Sequence, residues 1–274
     1  MRILLIICVL VASWQLVASK PAGPELNLTA NYAYAYALDI DKPVSYDGFN
    51  CIKQYRYSAV FIRGYDPAGQ GRFDVNAVNN IHCASQVGLG TEVFMTPQKN
   101  SIKRGADQFM EIYTGLLHGN IQMKTLWVQV TSPIHWDQNI ESNIAFLNEI
   151  IITANKYGVI VGFYTNAYDW SQITSNANLE GAMLWYWNVY GGGVSGETPA
   201  NFDDFHPFAR FLQPVAKQFG QQENVCGIIV NRDVYSLNGL KYSAVPVSEK
   251  ANDRVVVGTL LEGSHIRNGL LKSN

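Results

Sequence analysis

The chain has 274 residues, a formal net charge of −2 at neutral pH, and 47% hydrophobic and 12% aromatic residues. That composition can build a large core, which excludes a disordered chain. The near-balanced charge leaves no basic stripe of the kind nucleic-acid binders carry, so no nucleic acid partner is expected.

Arg2, the apolar run from Ile3 to Val11 and the small residues Ala18 and Ser19 read as a cleaved signal peptide over 1–19, ending just before Lys20-Pro21. The apolar run is too short for a membrane anchor, and Ser13 and Gln15 interrupt its far end. No later stretch reads as a membrane span. The expected destination is the secretory pathway, outside the cell or in a lysosomal or vesicular lumen. Residues 20–34 form a polar lead-in with one glycosylation sequon, at Asn27-Leu28-Thr29.

Short apolar runs followed by helical stretches then alternate along the chain. Strands are predicted at 36–40, 59–63, 91–95, 126–130, 160–164, 183–186 and 227–230. Helices are predicted at 47–55, 75–87, 106–117 and 139–157. Repeated strand–helix units imply a mostly parallel sheet, and near-continuous apolar strands imply that both faces are covered. The expected fold is a single α/β domain over 35–238, an irregular (β/α)8, TIM-like barrel, with an open doubly wound sheet as the alternative. Residues 239–274 read as an appended, poorly ordered extension despite the apolar run from Val255 to Leu261.

Cys8 leaves with the signal peptide, and Cys51, Cys83 and Cys226 remain. In an oxidising compartment the odd count suggests one pair and one free thiol. Cys51 and Cys83 fall on predicted helices that would be neighbours in a barrel, so they are the expected disulfide; three unpaired buried thiols are the alternative. The spacing fits no zinc pattern, the five histidines show no ligand spacing, and no metal or cofactor is expected.

In such barrels chemistry sits where strands end and loops begin. Asp39 and Asp41, Arg63 and Asp66, Gln129 and Thr131, Tyr164 and Asn166, Trp185 and Trp187, and Asn231 and Asp233 occupy those ends. Aromatic side chains are dense there, and rings in a cleft suit the apolar face of a sugar, although large rings also fill barrel cores. Asp39 stands out as a carboxylate on an apolar strand. Glu92 is placed to point into the barrel beneath Phe94, while Asp41, Asp66 and Asp169 read as solvated or paired acids.

The residues resemble a known family in order along the chain. Ala37-Leu38-Asp39-Ile40-Asp41 is similar to the opening strand of family 25 glycoside hydrolases, a lysozyme family. Phe61-Ile62-Arg63 with Asp74, Asn76 and Ala84 resembles its second strand and helix. Gly88-Leu89 leading to Phe94 resembles its third strand, and Phe163-Tyr164-Thr165-Asn166 with Trp170 its Ile-Tyr-Thr strand. Leu184-Trp185, Lys217-Gln218-Phe219 and the run from Gly227 to Val234 resemble its closing segments. Gln129-Val130-Thr131-Ser132-Pro133 looks like the signature of an invertebrate lysozyme-like branch associated with defence against bacteria.

The resemblance implies a monomeric secreted protein directed at peptidoglycan, with catalytic acids on strand one (one Asp), strand four (an Asp-x-Glu pair) and strand eight (one Asp). Position by position, Asp39 is retained, the strand-four pair becomes Gln129 and Thr131, and the strand-eight acid becomes Asn231. Amides and hydroxyls cannot supply the proton that glycoside cleavage needs, although they keep hydrogen-bonding capacity. The expectation is therefore a glycan-holding cleft built from Arg63, Phe94, Gln129, Thr131, Tyr164, Trp185 and Asn231, with hydrolysis weak or absent. The alternative is an active, divergent muramidase that uses Asp39 with a relocated acid, for which Asp137 beside Trp136 is the candidate.

Overall fold

Strand β1 (Tyr34–Ile40) shows how the fold sorts its side chains. Tyr36, Leu38 and Ile40 pack outward into the core beneath the helices, and Ala35 and Ala37 join a second cluster inside the barrel. The same alternation places Asp39 inward. The computed structural model describes residues 34–180, 183–237 and 254–259. The expected signal peptide, Asn27 with the lead-in up to residue 33, and most of the expected extension lie outside the described residues.

After β1 come α1 (Tyr46–Gln54), β2 (Ala59–Asp66), the short β3 (Arg72–Phe73), α2 (Ala77–Gln86), β4 (Gly90–Met95) and α3 (Gly105–His118). Then follow β5 (Ile121–Met123), β6 (Thr125–Gln129), α4 (Ile140–Lys156), β7 (Ile160–Thr165), α5 (Ala167–Thr174) and β8 (Met183–Trp187). The described chain ends with β9 (Ala216–Val225), β10 (Ile228–Ser236) and β11 (Val255–Val257). Pairing runs β1-β2-β4-β6-β7-β8-β9-β10 and returns to β1, which closes an eight-stranded barrel. Neighbouring barrel strands are parallel except where β10 pairs antiparallel with both β9 and β1. This is the expected single-domain α/β barrel, made irregular by its last strand and by the long connection over 188–215.

Small residues on some strands make room for rings on others. Ala37, Ala59 and Ala216 face the same interior as Phe61, Trp127 and Trp185. At Gly162 on β7 a Cβ would lie 2.5 Å from the Trp127 ring, so only glycine allows that ring its place. The helices start on local signals: Ser45 caps α1 by accepting from the Gly48 N–H, and Asn139 and Asn166 do the same for α4 and α5.

Three expectations need correction. The last strand was expected over 227–230 alone, but β10 reaches Ser236 and pairs with β9, a strand hidden in polar sequence. Lys217 on β9 is fully buried outside the barrel, its Nζ 2.7 Å from Asp204 Oδ2. Asp204 also accepts from the Tyr186 hydroxyl and Asn188 Nδ2, and so ties the 188–215 connection to the sheet.

The disulfide joins Cys51 to Cys226, not to Cys83, which is a free, half-buried thiol. α1 and α2 are indeed neighbours, but the antiparallel β10 brings the β9–β10 turn up beside α1. Lastly, part of the extension is ordered. β11 pairs in parallel with β5, and Gly258 exchanges hydrogen bonds with Thr91 and Thr125 where β4 and β6 begin. Among the described residues, no helix is long and apolar enough to cross a membrane.

Candidate functional site

The C-terminal ends of the parallel barrel strands and the start of the antiparallel β10 surround a cleft of about 470 Å³. β1 and the residues after it supply Asp39, Asp41 and Lys42, β2 supplies Arg63, and β4 and its following loop supply Phe94 and Thr96. Gln129, Tyr164 and Trp185 come from β6, β7 and β8, and Gln222, Ile229, Val230 and Asn231 from the β9–β10 hairpin. The structure thus gathers Asp39, Arg63, Phe94, Gln129, Tyr164, Trp185 and Asn231 around one cleft.

Asp39 lies at the cleft floor and is 8% exposed. It faces Asn231 across the β1–β10 pairing, and Asn231 Nδ2 donates to both of its oxygens at 2.9 and 3.1 Å. The Asn231 amide is held in that orientation because its Oδ1 accepts the Gln222 backbone N–H. Burial pushes the Asp39 carboxyl up to about 7; the Asn231 bond opposes the shift and the Asp41 charge adds to it. Near neutrality this group can either donate or accept a hydrogen bond.

Gln129 occupies the inward position at the end of β6. The Thr96 hydroxyl donates to its Oε1 at 2.6 Å, and its own Nε2 donates to Thr131 Oγ1 at 3.0 Å. Thr131 is half-buried and is not among the cleft-lining residues; it acts on the site through Gln129. Arg63 is held by carboxylates, with Nε 2.9 Å from Asp74 and its terminal nitrogens 3.7 Å from Asp41 and 3.9 Å from Asp66. Its charge is therefore largely spoken for.

The aromatic wall differs from expectation. Trp185 touches the cleft but is fully buried, between Phe61 at 4.3 Å and Tyr164 at 4.2 Å between ring centroids. It supports Tyr164 and offers no open face to a sugar. The Tyr164 hydroxyl donates to Gln218, and Phe94 stands edge-on to Trp185. Trp185 in turn donates its indole N–H to buried Asp233 at 2.9 Å. Glu92 does point into the barrel, where it accepts the Trp127 indole N–H, and Asp169 accepts that of Trp187. Asp233 was noted in the sequence only as a strand-end residue; the alternation of β10 places it inward, two residues beyond Asn231.

Asp137 does not join the site. It lies on the surface after the turn at Pro133–His135, 3.7 Å from Lys99. The Asn139 backbone N–H, then smaller contributions from Ser142 and Lys99, hold its carboxyl below the usual range. An exposed, readily ionised acid outside the cleft does not suit the relocated acid that the muramidase alternative requires. Among the described residues lining the cleft, the carboxylates are Asp39 and Asp41, both from one strand end.

The profile of the family described as Lysozyme-like protein 1 matches residues 30–219. Lysozyme-like protein 1 of Caenorhabditis elegans is 50% identical over 221 residues, covering 80% of this chain and 74% of the relative. Lysozyme-like protein 7 of the same organism is 48% identical over 246 residues, covering 89% and 85%. Among solved structures, a family GH25 lysozyme from Aspergillus fumigatus superimposes with a TM-score of 0.55 at 14% identity, covering 74% of this chain and 94% of its own. That likeness extends to the fold.

Proposed function

We propose a function from one premise: the chain belongs to the Lysozyme-like protein 1 family, a lysozyme-like family related to the family 25 glycoside hydrolases. On this reading it is a secreted protein of defence against bacteria that holds peptidoglycan glycan in the cleft above Asp39, with its hydrolytic acids largely replaced. The Cys51–Cys226 disulfide supports an oxidising destination.

The observation that carries the reading is the state of Gln129. Thr96 and Thr131 engage both ends of its amide, so the strand-four position offers positioned polarity and no proton. Losing a positioned acid costs about 10²–10⁴-fold in rate. The cleft keeps what sugar binding needs: amides at Gln129 and Asn231, a carboxyl at Asp39, and the edges of Phe94 and Tyr164.

One observation favours the active alternative. A carboxyl raised to about 7 is suited to be a general acid, and Asp41 two residues away could supply the anion. Incubating purified mature protein with insoluble peptidoglycan, and measuring pelleted protein and new reducing ends together, separates the two. The binding reading expects co-sedimentation without release between about pH 4 and pH 8, the window set by the Asp39 shift. Release that Asp39→Asn abolishes would establish the muramidase in its place, and neither binding nor release would remove the glycan reading.

A further inference from the structure

Asp233 is fully buried on β10, next to the Asp39 strand and opposite Gln218 of β9. One oxygen, Oδ1, accepts the Trp185 indole N–H, the Asp39 backbone N–H also approaches the carboxyl, and Oδ2 has no well-formed hydrogen bond among the described residues. No arginine or lysine pairs with it there. A buried carboxyl in such surroundings is costly, and an apolar pair of similar volume would fill the same space. Its position therefore calls for a reason beyond filling the barrel.

Trp185 supplies one. Its ring contacts Phe61, Phe94, Trp127 and Tyr164, with centroid separations from 4.2 to 6.1 Å, so its tilt sets theirs. Tyr164 and Phe94 line the cleft beside it. The N–H is the one polar atom of that ring, and Asp233 is its anchor.

We propose that Asp233 is a positioning residue for the cleft: by accepting the Trp185 indole N–H it fixes the ring that backs Tyr164 and Phe94, and so sets the wall a glycan meets. This rests on the glycan-binding reading of the cleft. Burial, and then the neighbouring Asp39 charge, push the Asp233 carboxyl well above the usual range. An asparagine there keeps the acceptor, while a leucine keeps only the volume.

The test compares Asp233→Asn and Asp233→Leu for binding to insoluble peptidoglycan, together with the ¹H–¹⁵N signal of the Trp185 indole, assigned by its loss in Trp185→Phe. The expected result is affinity within about threefold of the parent for Asp233→Asn and a loss of about tenfold or more for Asp233→Leu, with the indole signal displaced only in the leucine variant. A folded Asp233→Leu that binds like the parent would overturn the proposal, as would Asp233→Asn binding as weakly as the leucine variant. If Asp233→Leu does not fold, the asparagine variant decides: parental affinity with the signal in place supports the anchor, and lost affinity overturns it. If the parent itself does not bind peptidoglycan, the functional reading fails. The indole signal then judges the anchor separately, and an unmoved signal in Asp233→Leu refutes it.

Discussion

Replacing Asp39 with asparagine should change the pH dependence of stability in a direction that the site's electrostatics dictate. The carboxyl is raised from 3.8 to about 7, chiefly by burial. Between those values the folded protein keeps a proton that the unfolded chain has released, so ionisation works against the fold as pH rises. The destabilisation is absent below about pH 4, grows through the window and is complete above about pH 7. A shift of about three units at about 1.4 kcal/mol each makes it roughly 4 kcal/mol.

Asp39→Asn removes that titration. Any packing cost of the amide, including a less favourable meeting with Asn231 Nδ2, does not depend on pH and enters as a constant offset. Glu223 is also raised to about 7, mainly by burial, but it titrates in both proteins and cancels in the comparison, whereas buried Asp233, raised in part by the Asp39 charge, adds its own change to the difference. Urea unfolding of both proteins at pH 4, 6 and 8, with the disulfide intact, gives the difference directly. The variant should gain on the parent by up to about 4 kcal/mol between pH 4 and pH 8. Parallel stability curves across that range would show that Asp39 ionises freely and would refute the electrostatic account of the cleft floor.

The Cys51–Cys226 bond closes a separation of 175 residues. Cys226→Ser should therefore lower unfolding free energy by about 3–5 kcal/mol, whereas Cys83→Ser should change it by less than about 1 kcal/mol; thermal and urea unfolding check both. Gly162→Ala should cost about 1–3 kcal/mol, because its Cβ would lie 2.5 Å from the fully buried Trp127 ring. The same variant should alter the near-ultraviolet circular dichroism of the tryptophan cluster.

Much of the barrel was legible because its parallel strands are apolar and each precedes a helix or a turn. β1, β2, β4, β6, β7 and β8 lie where those runs predicted them, and the inward alternation of their ends brings Asp39, Arg63, Gln129 and Tyr164 together. β9 was not legible, because its buried Lys217 reads as a surface residue until Asp204, thirteen positions earlier, is seen to pair with it. The disulfide was misread for a related reason: the reversal of β10 carries Cys226 to α1, and local spacing contains no trace of that reversal. The apolar run that forms β11 was read as part of the extension because its partner β5 is three residues long and lies more than a hundred positions away. Trp185 could be assigned to the site, but its burial behind Tyr164 depends on the whole ring cluster.

On the proposed function, the cleft holds a glycan and lacks the acids to cut it. Restoring them at the strand-four positions tests this most directly, with Gln129→Asp and Thr131→Glu combined in one variant and assayed for new reducing ends on peptidoglycan beside the parent. The expected result is a parent at background and a gain of about a hundredfold or more in the variant, the scale of a recovered acid–base pair. A parent that already releases reducing ends as fast as the variant would contradict it.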